Sequence, residues 1–338
     1  MKFIQKKISA VWLCLLALLL SPAADALAPG ELVETGGQVV GIAFPCQGVI
    51  VSSLADIETQ NGAVCPAREA GLEPGDRILT LAGRTIGSSE DFLMAVGELT
   101  GEAVTVEVCR GQQHLAMYLK PVKSSRGVWQ LGLWLRDNIR GIGTVTFRDP
   151  ETGLFGALGH GVELTEDGGL LPVRAGTVSR AEVTEVIPGR RGRPGELCAR
   201  EIGEGETGVL YANTAAGIFG RSDTAFAEGK TAVLAPAAAV TPGEATILST
   251  VDGTGVRAFS ARILRVDREA PDERELALQI TDPALLAATG GIVQGMSGSP
   301  ILQNGALVGA VTHVLVSDPT KGYGITAENM LATAQTGG

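Results

Sequence analysis

The chain has 338 residues, 45% hydrophobic and 19% charged, enough for about two domains with buried cores and unlike a disordered tail. Its net charge of -10 speaks against a nucleic-acid binder, because phosphate contacts need a basic face. With 46 glycines and only 4% aromatic residues, it suits many short strands and turns better than long helices.

At the N-terminus, Lys2, Lys6 and Lys7 precede an apolar run from Ile8 to Leu20, then Ser21, Pro22 and the small-residue stretch Ala26-Leu27-Ala28. The run is short for a bilayer span of ~20 residues. Residues 1–28 therefore read as a signal peptide cleaved near Ala28, with an uncleaved membrane anchor as the other reading. Either way the chain is expected outside the cytoplasm, secreted or membrane-anchored. Cys14 lies in this leader. Cys46, Cys65, Cys109 and Cys198 form no CxxC pair, so no metal site is expected and no cofactor motif appears. A Cys46–Cys65 bridge is one reading, and four free, mostly buried thiols the preferred one.

Residues 37–123 read as a first folded domain. Gly48-Val49-Ile50-Val51 reads as a strand, Pro66 to Leu72 as a short helix closed at Gly71, and Glu73-Pro74-Gly75-Asp76 as a turn. Arg77 to Leu81 alternates as a strand. Ser88 or Ser89 caps a helix to about Leu99 with Phe92, Leu93 and Val96 on one face. Ala103 to Cys109 and His114 to Leu119 form a hairpin across Arg110-Gly111. This order, with the run AREAGLEPGDRILTLAG, resembles the PDZ domains of bacterial exported proteases. That resemblance implies an α+β domain whose groove takes a peptide tail as an added strand. Val40-Gly41-Ile42-Ala43 is expected at its backbone end, so Gly41 and Ile42 are the groove residues. His114, on a strand with no partner motif, reads as a surface residue.

Residues 127–338 form the second domain, rich in glycine and β-branched residues. Strands are expected at Gly141–Phe147, Leu154–Leu158, Gly176–Glu185, Thr231–Val240, Ala245–Val251, Arg262–Val266 and Leu276–Ile280, which argues for an all-β barrel or sandwich. Helices are expected at Pro283 to Ala288, closed by Gly290, and near Ala327 to Ala334.

Chemistry concentrates near the C-terminus. Gly295-Met296-Ser297-Gly298-Ser299-Pro300 presents Ser297 between glycines, as a nucleophile requires. Gly295 permits a turn that aims the amides of Gly295 and Ser297 inward, as an oxyanion hole. Asn304-Gly305 makes a tight hairpin behind the loop. Two histidines remain as candidate bases in this domain. His160, in the glycine-flanked loop Gly159-His160-Gly161, precedes the nucleophile and is preferred. His313 follows the hairpin strand and, with Thr312, is expected to line the substrate cleft. Three acids compete to orient the base. Thr281-Asp282-Pro283 reads equally as a helix cap, Asp223 suits the spacing of two-barrel proteases, and Asp137 is the weakest. Gly291 occupies the expected floor of the first specificity pocket, with no acid to select a basic side chain.

The segments GIGTVTF, GALGHGV and TDPALLAATGGIVQGMSGSPILQNGALVGAVTHVLVSDPTKGYGI, together with the PDZ segment, resemble the stage IV sporulation protein B peptidase family. The resemblance implies a mainly β chain, with the PDZ domain followed by a chymotrypsin-like double β-barrel. It places the triad on His160, Asp282 and Ser297. It also implies a sporulation signalling protease that cuts itself and then a membrane-bound regulator of an intramembrane protease, between the mother-cell and forespore membranes. Two other readings stay open from the residues: a secreted PDZ adaptor without catalysis, and a general trypsin-like envelope protease, in which the PDZ domain usually comes second.

Overall fold

The computed structural model describes residues 27–336, apart from 112, 164–169, 172–175, 204, 227–229, 254 and 271. Of the leader expected over residues 1–28, residues 1–26 lie outside the described residues, as does the side chain of Cys46. Among the described residues no helix is long and apolar enough to cross a membrane.

The chain is mostly β. Its first two long strands explain the architecture. β1 (Leu32–Thr35) leads into β2 (Val39–Leu54), and the equally long β6 (Leu133–Arg148) returns antiparallel beside it. Their register runs from Leu133 opposite Leu54 to Thr144 opposite Val39, interrupted by bulges after Trp134 and Arg136. The two strands therefore serve two units. Their outer halves, Val49–Leu54 and Leu133–Arg136, belong with β3 (Arg77–Leu81), β4 (Val104–Arg110) and β5 (Gln113–Leu119) in the PDZ domain. Its two helices are α1 (Pro66–Glu69) and α2 (Ser89–Gly97). Ser88 caps α2, its Oγ accepting from the Asp91 amide at 3.1 Å. Phe92 of α2 is buried with Val49, Ile78, Val106 and Leu119, whereas Leu93 is 69% exposed, so the apolar face of α2 is only partly spent on the core.

The inner halves, Val39–Pro45 and Asn138–Arg148, belong to a barrel. β6 pairs with β7 (Leu154–Ala157), β7 with β11 (Gly217–Arg221), β11 with β10 (Gly208–Thr214), and β10 with β8 (Gly176–Ile187). β8 then pairs with β2 through Val178 opposite Ile42, which closes a six-stranded circuit. Phe44, Phe155, Val178 and Ile218 fill it. β9 (Glu196–Glu201) pairs with β8 outside the circuit.

This arrangement corrects two expectations. The PDZ domain does not simply precede the peptidase: it is inserted between two neighbouring strands of the first barrel, because residues 39–45 pair with 138–144 across it. Gly41 and Ile42 cannot accept an added peptide strand, since β6 and β8 already pair with both of their edges. β9, β10 and β11 were not anticipated as strands, and Thr231–Val240 shortens to β12 (Thr231–Val233), with Pro236 leading into a 3-10 turn at Ala237–Ala239.

The second barrel joins two local meanders, β13 (Gly243–Ser249), β14 (Arg257–Val266), β15 (Leu276–Ile280) and β16 (Pro300–Gln303), β17 (Ala306–Val314), β18 (Lys321–Thr326), and is closed by pairing β15 with β18 and β13 with β16. Asn304 and Gly305 take φ values of 53° and 83° between β16 and β17, the backbone that a two-residue hairpin needs. α3 (Pro283–Thr289) and α4 (Ala327–Thr336) complete the domain. The chain is thus a PDZ domain joined to a double β-barrel of the chymotrypsin kind.

Candidate active site

Each barrel delivers one of the two candidate catalytic side chains. β7 ends at Ala157, and the chain turns through Leu158 and Gly159, with φ of 69° and 70°, into His160. Asn213 at the end of β10 staples the loop beyond: its Oδ1 accepts from the Val162 amide at 2.8 Å, and its Nδ2 donates to the carbonyls of Val162 and Leu171 at 2.7 and 2.9 Å. His160 Nδ1 lies 2.8 Å from the Gly161 carbonyl. A carbonyl only accepts, so Nδ1 carries the proton and Nε2 is left as the basic nitrogen.

Ser297 sits in the turn before β16, where the Met296 amide donates to Val293 and the Ser299 amide to Met296. Among the described residues the amides of Gln294, Met296, Gly298 and Ser299 are all spent on carbonyls, while those of Gly295 and Ser297 donate to none. Two free, neighbouring amides beside a serine are what an oxyanion needs. The Ser297 hydroxyl donates to the Thr312 carbonyl at 2.8 Å, a resting position from which it must turn to meet a base.

The first barrel holds this turn. The Thr144 amide donates to the Ser297 carbonyl at 2.9 Å. Thr144 Oγ1 donates to the Gly295 carbonyl at 2.7 Å and Thr146 Oγ1 to the Gly298 carbonyl at 2.8 Å. Both threonines are fully buried, so these bonds are sheltered from water. Gly298, at φ 94°, packs so closely that a Cβ would stand 2.0 Å from the Thr144 carbonyl oxygen and 2.5 Å from the Leu158 amide nitrogen. Gly298 thereby lets the chain leading to His160 pack onto the Ser297 turn. The two threonines were not singled out from the sequence. Their signal was a pair of polar residues on one face of the apolar strand Gly141-Ile142-Gly143-Thr144-Val145-Thr146-Phe147.

His160 and Ser297 line one cleft of about 720 Å³ between the barrels, with Ile42, Ile142, Ile292, Val293 and Val314 among its apolar walls. Thr312 and His313 also line it. Thr312 is turned inward, its Oγ1 donating to the Glu273 carbonyl at 3.0 Å, and it faces the site through its own carbonyl. Gly291 is buried against the Pro319 carbonyl.

No expected acid reaches His160. Asp282 caps α3, accepting from the amides of Ala284 and Leu285 at 2.9 and 3.2 Å, and its other oxygen accepts from the Ser260 amide at 3.1 Å. These amides, Ser260 first, hold its carboxyl below the usual range. Thr281-Asp282-Pro283 thus forms the helix cap, and Asp282 makes no hydrogen bond to His160 in this structure. Asp223 is exposed beyond Arg221, whose partner Leu154 is the end of β7 away from His160. Asp137 accepts from the amide and hydroxyl of Ser89 in the PDZ domain. The thiol of Cys65 is free and donates to the Gly132 carbonyl, and His114 is exposed as expected.

A second groove lies in the PDZ domain, not at Gly41 but between α2 and the outer half of β6. It measures about 810 Å³ and is lined by Phe92, Leu93, Val96, Leu133, Trp134 and Leu135. Residues 133–136 pair with β2 on one edge; among the described residues their other edge is unpaired.

Comparison with known proteins gives one long match. The family model described as SpoIVB peptidase S55 matches residues 127–331. A Clostridium perfringens protein named "Putative zinc metalloprotease" is 34% identical over 68 residues, 20% of each chain, and a Xylella fastidiosa protein of the same name is 37% identical over 67 residues, 19% of this chain and 15% of its own. The chain thus spans a fifth or less of the length of these curated relatives. Among solved structures, a PDZ domain of an SdrC-like protein from Listeria monocytogenes is 23% identical, with 27% of this chain and 90% of that one covered and a TM-score of 0.23. A protease from M. tuberculosis in its active form is 16% identical, covering 59% and 74% at a TM-score of 0.34. The HtrA-type protease AlgW with decapeptide is 13% identical, covering 60% and 54% at 0.36.

Proposed function

Since the chain belongs to the SpoIVB peptidase S55 family and is a serine peptidase, we propose that it is an exported signalling endopeptidase of sporulation that cleaves itself and a membrane-bound regulatory protein. The observation that carries the chemistry is the shared cleft of His160 and Ser297, with the Gly295 and Ser297 amides free beside them. In this reading the Ser297 hydroxyl leaves the Thr312 carbonyl and gives its proton to His160 Nε2 as its oxygen attacks the scissile carbonyl. The two amides receive the oxyanion. His160 then hands the proton to the leaving amine, and water releases the acyl group by the reverse path.

The unpaired edge of β6 takes the tail of a protein partner as an added strand, and the exposed Leu93 and Trp134, 69% and 67% accessible, favour apolar side chains in that tail. The family match supports the developmental role, and the basic, then apolar N-terminus supports export to the space between the two membranes around the forespore. The test is the fate of purified protein spanning residues 29–338. It is expected to nick itself on standing, whereas Ser297→Ala stays intact. Equal processing of the serine variant would overturn the self-cleaving reading.

A further inference from the structure

The walls of the cleft beside Ser297 limit the side chain that it can admit next to a scissile bond. A substrate carbonyl held by the Gly295 and Ser297 amides sets the side chain of its own residue into the gap between two segments. One is residues 291–295, which lead to those amides. The other is residues 312–316, whose Thr312 carbonyl holds the Ser297 hydroxyl. The first segment alternates. Val293 points to the first barrel, where a Cβ on Gly195 would stand 2.7 Å from Val293 Cγ1, and the Gln294 amide donates to the Gly195 carbonyl at 2.9 Å. Ile292 reaches the other way, onto β18: a Cβ on Gly322 would stand 2.6 Å from Ile292 Cδ1. Gly322 faces Val314 across the ladder of β17 and β18, so Ile292 ends beside the pair that flanks the gap. Ile292 is buried, and its amide donates to the Pro319 carbonyl at 2.8 Å. Gly291 cannot deepen the gap, because the Pro319 carbonyl oxygen lies 2.0 Å from where its Cβ would be. The gap therefore bottoms on Ile292, and Val314, packed against the same apolar cluster, narrows it.

We propose that Ile292 and Val314 set the primary specificity of this cleft, which accepts a small, uncharged apolar residue, of alanine to valine size, on the acyl side of the scissile bond. This rests on the serine peptidase reading of the same cleft. The reasons are steric and electrostatic. A long or aromatic side chain would have to displace Ile292, which is backed by Gly322 and tied by its own amide to residue 319. A close-packed floor resists such overpacking. A charged side chain would give up water to stand between two aliphatic ones. Gly322 makes this floor possible, since a side chain there would collide with Ile292. Because side chains close the gap, shortening one of them should reopen it.

Peptidyl diphenyl phosphonates test this, because they phosphonylate a reactive serine and carry one side chain in the place of the acyl-side residue. A series with one common leader and the side chain of alanine, valine, leucine, phenylalanine or lysine is reacted with the full chain, with Ile292→Ala and with Val314→Ala. Labelling of Ser297 is followed by mass spectrometry. Rates are compared within each protein, so loss of folded material cancels from the ratios. In the native chain the alanine and valine probes should label fastest, and the phenylalanine and lysine probes on the order of 10²-fold more slowly. Ile292→Ala should raise the leucine-to-alanine and phenylalanine-to-alanine ratios roughly tenfold, and Val314→Ala should raise them too. The proposal is overturned if the native chain labels with the phenylalanine or lysine probe as fast as with the alanine probe, or if Ile292→Ala keeps the native ratios. Should Ile292→Ala fail to fold by circular dichroism, Val314→Ala decides in its place: native ratios overturn the proposal. A small fluorophosphonate without an amino-acid side chain keeps the two readings apart. If it labels Ser297 while the alanine and valine probes are no faster than the others, the pocket assignment fails and the peptidase reading stands. If it does not label the native chain, the peptidase reading fails and the assignment with it.

Discussion

The two barrels meet the cleft in opposite ways. The second is built mainly from strands consecutive in the chain, closed by β13 with β16 and β15 with β18, and the Ser297 turn lies between α3 and the hairpin of β16 and β17. The first is assembled at long range, from β2 and β6 on either side of a whole PDZ domain, and it supplies His160. Yet the nucleophile turn is not self-sufficient. Its carbonyls at Gly295, Ser297 and Gly298 are held by Thr144 and Thr146 of β6. The strand that fixes the serine in place is thus the same strand whose outer half lines the groove of the PDZ domain. Local sequence makes the nucleophile recognisable, and long-range packing makes it usable.

The sharpest way to break this partnership is at the contact itself. Gly298→Ala forces a Cβ to within 2.0 Å of the Thr144 carbonyl oxygen, at a φ of 94°, where something in the backbone must shift. The expected outcome is loss of serine labelling together with loss of the cooperative thermal transition of the peptidase domain. Retention of both would show that the barrels do not depend on one another there. Asp282→Ala probes the second barrel alone. It removes the cap of α3 and should cost about 1 kcal/mol of stability in denaturant unfolding, with Ser297 still reactive. A smaller effect comes from His313, whose ring packs against that of His160 with centroids 5.1 Å apart. His313 titrates near 4 in the folded chain against an ordinary 6.5. Between those values the unfolded chain takes up a proton that the folded chain refuses, so stability falls as pH drops from 6.5 towards 4 and is unaffected by this group above 6.5. His313→Gln should remove that part of the slope in thermal melts; an identical slope would contradict a buried neutral His313.

The same contrast explains what could be read from the sequence. The caps at Ser88 and Asp282, the αL closure at Gly290, the Asn304-Gly305 hairpin and the glycine-flanked Ser297 are all short-range, and each is where the residues alone placed it. The division of β2 and β6 between two units was hidden, because pairing of residues 39–45 with 138–144 depends on what lies folded between them. Placing the peptide groove at Gly41 and Ile42 followed from that. At Asp282 the cap was legible locally in Thr281-Asp282-Pro283, whereas its triad role came from resemblance alone. Three strands over residues 196–221 were missed, where Arg, Glu and Asn interrupt the alternation. The contact of His160 with His313 needs both barrels and has no local signature.

The most direct test of the account is whether Ser297 and His160 work as a pair across the barrel interface. Fluorophosphonate labelling of the native chain, mapped by mass spectrometry, should fall on Ser297 and be lost in His160→Ala while that variant remains folded. Labelling of His160→Ala at the native rate would contradict it.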